Sequence, residues 1–224
     1  MSDDSFIREV DQELRSERMK SIWERFGKYI IGVAVLIVLV TAAVRGYEYW
    51  TNQRANNSGD AFLAALNLAR EGRQDEALAA LRELESSGTG SYPALARMRA
   101  ATVLADSGDI DAAISDFSVI GNDNSIPAAV RDIARVRAAY LLVDNGSYDD
   151  VSAQVEGLSG ADNPMRHSAR EALGLAAWKS GELTQARDWF DQIVGDTGVP
   201  PGIAQRAQMM LDIIAASGGA AQQS

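Results

Sequence analysis

Apolar residues fall into three regimes along the chain. In residues 1–28 they are sparse and mixed with charge. Phe6, Val10 and Leu14 repeat at helical spacing, and Ile22, Trp23 and Phe26 form a second apolar patch. From Tyr29 to Val44 no residue is charged. Beyond about residue 60 the apolar positions return every three or four residues with polar ones between them, which predicts a series of amphipathic helices.

The uncharged run predicts a membrane anchor over 29–50. Sixteen helical residues span about 24 Å, a little less than the ~30 Å hydrocarbon core. Phe26 and Gly27 lengthen it on one side. On the other, Arg45 can snorkel, and Tyr47, Tyr49 and Trp50 suit the membrane–water interface. Two alternatives compete with the anchor. A cleaved signal peptide could use the small residues of "VTAAV", but the 28 residues before the run carry both charge signs, unlike a short basic leader. A buried core helix sits poorly with a chain that is otherwise far less hydrophobic. Arg15, Arg18, Lys20, Arg25 and Lys28 precede the run, and only Arg45 and Arg54 follow it closely. The positive-inside rule therefore expects residues 1–28 in the cytoplasm and the rest translocated, which in a Gram-negative bacterium means the periplasm. The tail would rest on the membrane face or dock a cytoplasmic partner. Ala42 and Gly46 could pack against another membrane helix.

The remainder is internally repetitive. Gly72, Gly108, Gly146 and Gly181 are 36, 38 and 35 residues apart. Five residues after each stands a small side chain, Ala77, Ala113, Val151 or Ala186. At nine and twelve stand larger ones: Leu81 and Leu84, Phe117 and Ile120, Val155 and Leu158, Phe190 and Ile193. Four residues before each glycine lie Leu68, Leu104, Leu142 and Ala177. At seven and eight before lie Ala65 and Ala64, Ala101 and Ala100, Ala139 and Ala138, Gly174 and Leu173. Each unit thus reads as helix, left-handed glycine turn, helix, with small residues allowing close approach. Pro201 to Ala216 predicts a final helix that caps the open end, and 217–224 a frayed, disordered tail.

This pattern resembles the tetratricopeptide repeat, in degenerate form: the first-helix glycine of that pattern is present only as Gly174. The resemblance implies an all-α fold, a right-handed helical-repeat solenoid over 51–216 closed by a C-terminal capping helix. The full layout is similar to the YfgM-like ancillary subunits of the bacterial Sec translocon. "GYEYWTNQ", "SYPALARMRAA", "EALGLAAWKSGELTQARDWF" and "VPPGIAQRAQMMLDII" carry that similarity. It implies an inner-membrane protein that associates with the Sec translocon and a membrane-anchored periplasmic chaperone, and that assists unfolded or newly exported polypeptides.

Composition narrows the chemistry. The chain lacks Cys and has one His, so thiolate zinc sites, Cys nucleophiles and His-based triads are excluded. A net charge of −10 makes it a poor generic binder of nucleic acid. His167, near a helix start after Pro164, reads as a surface residue. "DNGSYDD" matches a calcium loop only in composition. No phosphate loop or paired-carboxylate motif occurs, so no enzyme activity, cofactor or metal is expected. Positions ten, six and three before each glycine are mostly apolar and unused by the packing stripe. Met98, Val136, Tyr140, Val143, Leu175 and Trp178 are therefore candidate partner-binding residues, unless the capping or juxtamembrane helix fills the groove. The expected function is a membrane-anchored protein–protein interaction module. The alternative is an envelope-assembly or cell-division scaffold without client binding.

Overall fold

The computed structural model describes residues 3–219, with side chains for Trp23, residues 25–29 and residues 31–218. The amphipathic pattern of Phe6, Val10, Leu14 and Ile22 therefore lies outside the described side chains, and 220–224 lie outside the described residues. Every regular element described is helical: α1 (Asp3–Arg70), α2 (Gln74–Ser87), α3 (Tyr92–Asp106), α4 (Ile110–Asn122), α5 (Ala128–Asn145), α6 (Tyr148–Val155), α7 (Arg166–Lys179), α8 (Leu183–Val194) and α9 (Pro201–Ile214). The chain forms two compact units, Met1–Asn56 and Asn57–Ser224.

In the first unit α1 carries the apolar run. No proline precedes Pro93, so nothing interrupts its hydrogen-bond ladder. The large apolar side chains from Ile31 to Val44 are 51–65% exposed. The run is therefore not the buried core helix of the described chain.

In the second unit the helices form successive pairs, closed by α9. All twelve second-helix positions marked by the repeat pattern, from Ala77 to Ile193, are buried. The two small residues on each first helix do different jobs. Ala101, seven before its glycine, packs with Phe117 and Ile120 of its own repeat, while Ala100 packs with Leu81 of the preceding one. Ala139 and Ala138 divide in the same way. Ala64 is exposed, because no second helix precedes it in this unit.

Three turn glycines are left-handed as expected, Gly72 at φ 79°, Gly108 at 89° and Gly181 at 85°. Each such turn is closed by a long-reach backbone bond, for example Asp109 N–H to the Leu104 carbonyl at 2.9 Å. Gly146 departs from the expectation. It is extended, at φ −133°, and α6 starts instead from a Ser147–Asp150 capping box. Here glycine is required by space, since a Cβ would lie 2.8 Å from Leu142 Cδ2. Gly218, at φ 87°, stands 37 residues after Gly181. It stands after α9 as the other left-handed turn glycines stand after their first helices.

Gly174 marks a close approach of α7 to α8, with a Cβ there falling 2.8 Å from Phe190 Cζ. Gly174→Val should destabilise the repeat unit by about 2 kcal/mol through overpacking. The measurement is the urea midpoint of helix loss by circular dichroism, and an unchanged midpoint would contradict this packing.

Candidate interaction face

In the second, third and fourth repeats the buried stripe of the first helix lies at positions four, seven, eight and twelve before the glycine. At 3.6 residues per turn the opposite side is centred near positions six and thirteen, flanked by two, nine and ten. Large apolar residues are exposed there: Leu63 (58%), Leu95 (42%), Ile133 (38%) and Met209 (56%). Trp178, three before Gly181, is 41% exposed at the turn end of the same helices. The first helices therefore present a partly apolar face that the described residues do not cover.

The residues marked from sequence meet this face unevenly. Trp178 is exposed, while Met98, Tyr140, Val143 and Leu175 are half-buried. Val136 is 8% exposed and packs in the core with Ala169, Ala172 and Leu173 of α7. The stripe at ten, six and three is rotated about 35° from the centre of the open face. Leu63, Leu95, Ile133 and Met209 were missed for that reason. The angular centre of the buried stripe, counted from the glycines, could have found them.

Tyr140 is also taken up by a polar contact. Its hydroxyl donates to Glu171 Oε2 at 2.7 Å. Arg206 of α9 donates to both oxygens of the same carboxylate, at 2.5 and 2.8 Å. Glu171 is 2% exposed, so the bidentate arginine supplies the partner that a buried carboxylate requires. Burial, followed by the hydrogen bond to Glu171, raises the Tyr140 phenol above its ordinary range. The capping helix thus closes part of the face at its C-terminal end, while the face from α1 to α5 stays open. Between α3 and α5 that open part sinks into a cavity of about 220 Å³, lined by Thr102, Ala105, Phe117, Arg137, Tyr140 and Leu141.

The membrane-interface residues lie in the first unit. Tyr47, Tyr49 and Trp50 are exposed, and Arg45 pairs with Glu48 at 3.1 Å. The Arg54 guanidinium lies 3.6 Å from the centre of the Trp50 ring, a cation–π contact.

His167 corrects an expectation. It is 4% exposed rather than on the surface. The α8–α9 connection folds Asp196 onto the first turn of α7, where His167 Nε2 lies 3.0 Å from Asp196 Oδ2. Arg166 donates to both oxygens of Asp196 at 2.7 and 3.1 Å, and Arg170 approaches at 3.4 Å. The bond from Arg166, then the Gly198 N–H, hold the Asp196 carboxyl well below the usual carboxylate range. Its folded-state pKa is depressed, so its stabilisation is present above the unfolded value of about 3.9. That contribution is lost as pH falls below about 4 towards the folded value. Urea midpoints measured from pH 6 to pH 2.5 should therefore drop more steeply for the wild type than for Asp196→Asn. Parallel curves would show that Asp196 contributes no such linkage.

No curated protein matches the chain. Among solved structures it is similar to a Podosopora anserina crystal structure described as the nearly identical TPR-like repeats of a kinesin light chain. The identity is 15% and the TM-score 0.49, over 76% of this chain and 99% of that one. Residues 20–215 match the tetratricopeptide repeat-like domain family. The chain belongs to that family, and its repeats are those of a tetratricopeptide repeat-like solenoid.

Proposed function

We propose that the protein is a membrane-anchored interaction module whose first-helix face binds polypeptide. The observation that carries the proposal is the pairing of two uncovered apolar surfaces of different kinds. One is the continuous run of exposed apolar side chains between Ile31 and Val44, bounded by Lys28 5.3 Å from the Tyr29 ring and by Arg54 over Trp50. Such a helix needs an apolar solvent. Thr41, the hydroxyl within the run, donates back to the Ile37 carbonyl at 2.7 Å, as a lipid environment demands. The other is the broken apolar face of the first helices, too polar for lipid and suited to a partner chain. Tetratricopeptide repeat-like folds typically serve as non-catalytic scaffolds, and the composition adds no nucleophile–base pair to this one.

Anchoring and binding reinforce each other. A weak face gains effective concentration when it is held where its partners emerge. The excess of Lys and Arg before the run supports residues 1–28 in the cytoplasm, 29–50 in the membrane and 51–216 translocated, which in a Gram-negative bacterium is the periplasm. The similarity to YfgM-like ancillary subunits then supports the Sec translocon and a membrane-anchored periplasmic chaperone as partners, and newly exported chains as clients. The envelope-assembly scaffold remains the second reading, separated from the first by what the face captures.

A photo-crosslinking residue at Trp178 in intact membranes should capture translocon subunits together with many different exported chains. Capture of one envelope-assembly protein alone would overturn the Sec reading. Because the chain has no Cys, Ser5→Cys and Ser180→Cys give clean topology probes. A membrane-impermeant maleimide added to spheroplasts should label the second and spare the first. The reverse pattern would invert the topology.

A further inference from the structure

Consecutive repeats meet where one first helix runs beside the connection that leads into the next. At three of these junctions the residue fourteen before the turn glycine makes a polar contact with that connection. Ser58 Oγ of α1 accepts from the Thr89 N–H at 3.1 Å. Asp132 of α5 accepts from Asn163 Nδ2 at 3.3 Å. His167 of α7 lies 3.0 Å from Asp196. On α3 the same position is Ala94, which has no polar side-chain atom. There the fold leaves a cavity of about 460 Å³, walled by Pro93, Ala94, Leu95, Ile126, Pro127 and Val130.

A second position indicates what would fill it. Sixteen residues before the glycine stand Tyr92, Val130 and Met165. The Tyr92 ring lies 6.1 Å from the ring of Phe62. Its hydroxyl reaches over Gly59, where a Cβ would lie 2.9 Å away. Met165 packs against the core cluster that contains Val136. Val130 is smaller than either. Leu95, the counterpart of Gly59 at thirteen before its glycine, lines the cavity and is 42% exposed. The junctions on either side are thus filled by a large side chain of the chain itself, and this one is left for a side chain from a partner.

We propose that the cavity between the starts of α3 and α5 is a socket for one aromatic side chain of a partner polypeptide, with a Lys or Arg beside it in the partner's sequence. This rests on the first-helix face being the polypeptide-binding face, because Leu95 belongs both to that face and to the cavity. The aromatic side chain follows from Tyr92, which fills the preceding junction with a ring and a polar tip. The basic neighbour follows from charge. Two carboxylates, Glu85 and Asp123, and one guanidinium, Arg97, line the cavity, so its wall carries one net negative charge. Arg97 donates to Glu85 at 2.7 Å and to Asp123 at 3.2 Å, which fixes that wall in place. A partner cation there completes the pairing. Apolar walls with a few placed polar groups, at this volume, have the make-up of a binding pocket.

The test is selection from a displayed library of random dodecapeptides on the full chain in detergent micelles, with wild type and Val130→Tyr in parallel. The substitution puts the side chain of Tyr92 at the equivalent position and fills the socket from within. Peptides selected by the wild type should be enriched in Phe, Tyr or Trp adjoining Lys or Arg, and Val130→Tyr should lose that enrichment. In fluorescence anisotropy, changing the aromatic residue of a selected peptide to Ala should weaken wild-type binding by at least about tenfold, and binding to Val130→Tyr much less. If the tyrosine lowers the urea midpoint, Val130→Met, which repeats the residue found at Met165, carries the test. Peptides selected without aromatic preference, or an enrichment unchanged by filling the cavity, would overturn the socket and leave the binding face standing. A wild type that dimerises in the micelles beside a monomeric Val130→Tyr would overturn it in favour of a second copy of the chain. Failure of both proteins to select any peptide would overturn the face as well.

Discussion

A pair of helices joined by a glycine turn cannot bury its own apolar stripe, and the rest of the repeat unit follows from that. Each hydrophobic cluster contains the two helices of one repeat together with the first helix of the next. Ala96, Ala100 and Val103 of α3 complete the cluster of the first repeat, and Ala134 and Ala138 of α5 complete that of the second. The closure depends on small residues at adjacent positions of one helix, one facing forwards and one backwards, so that both neighbours approach closely. The last repeat obeys the same requirement. Phe190 and Ile193 are buried only because α9 supplies Ala207 and Ile214. Where earlier first helices carry a small residue seven before the glycine, α9 carries Leu211, half-exposed. Among the described residues α9 thus completes its predecessor.

The same requirement creates the interaction face. Once one side of each first helix is consumed by packing, much of the other side is left over for contacts outside the core. At the C-terminal end that side has been turned inwards, with Glu171 buried beneath Arg206 and Tyr140. Elsewhere on that side Leu63, Leu95, Ile133 and Met209 stand exposed. Charges that serve the fold are paired, as Asp196 is with Arg166.

Much of this architecture was legible from spacing. Four glycines and the apolar positions counted from them located every helix pair and all twelve buried second-helix positions, because a repeated backbone imposes the same steric demand at each repeat. The fifth glycine, Gly218, was legible too, 37 residues after Gly181. Gly146 shows the limit of reading a residue type alone. Glycine is needed there, but to avoid Leu142 rather than to enter the left-handed region.

The sequence by itself determined the period, the class of fold, the apolar run and the absence of thiol or triad chemistry. These depend on residue type and on separation along one helix, and both are local quantities. Only the tertiary structure decided which surface-like residues are interior and which apolar ones are free. Val136, His167 and Glu171 became buried, and Leu63, Leu95, Ile133 and Met209 were left exposed. Those outcomes depend on how far each helix is turned towards its neighbours and on which distant side chain, such as Asp196 or Arg206, folds across it. Contacts about 30 residues apart in sequence set that rotation, and no pattern within a single helix contains them.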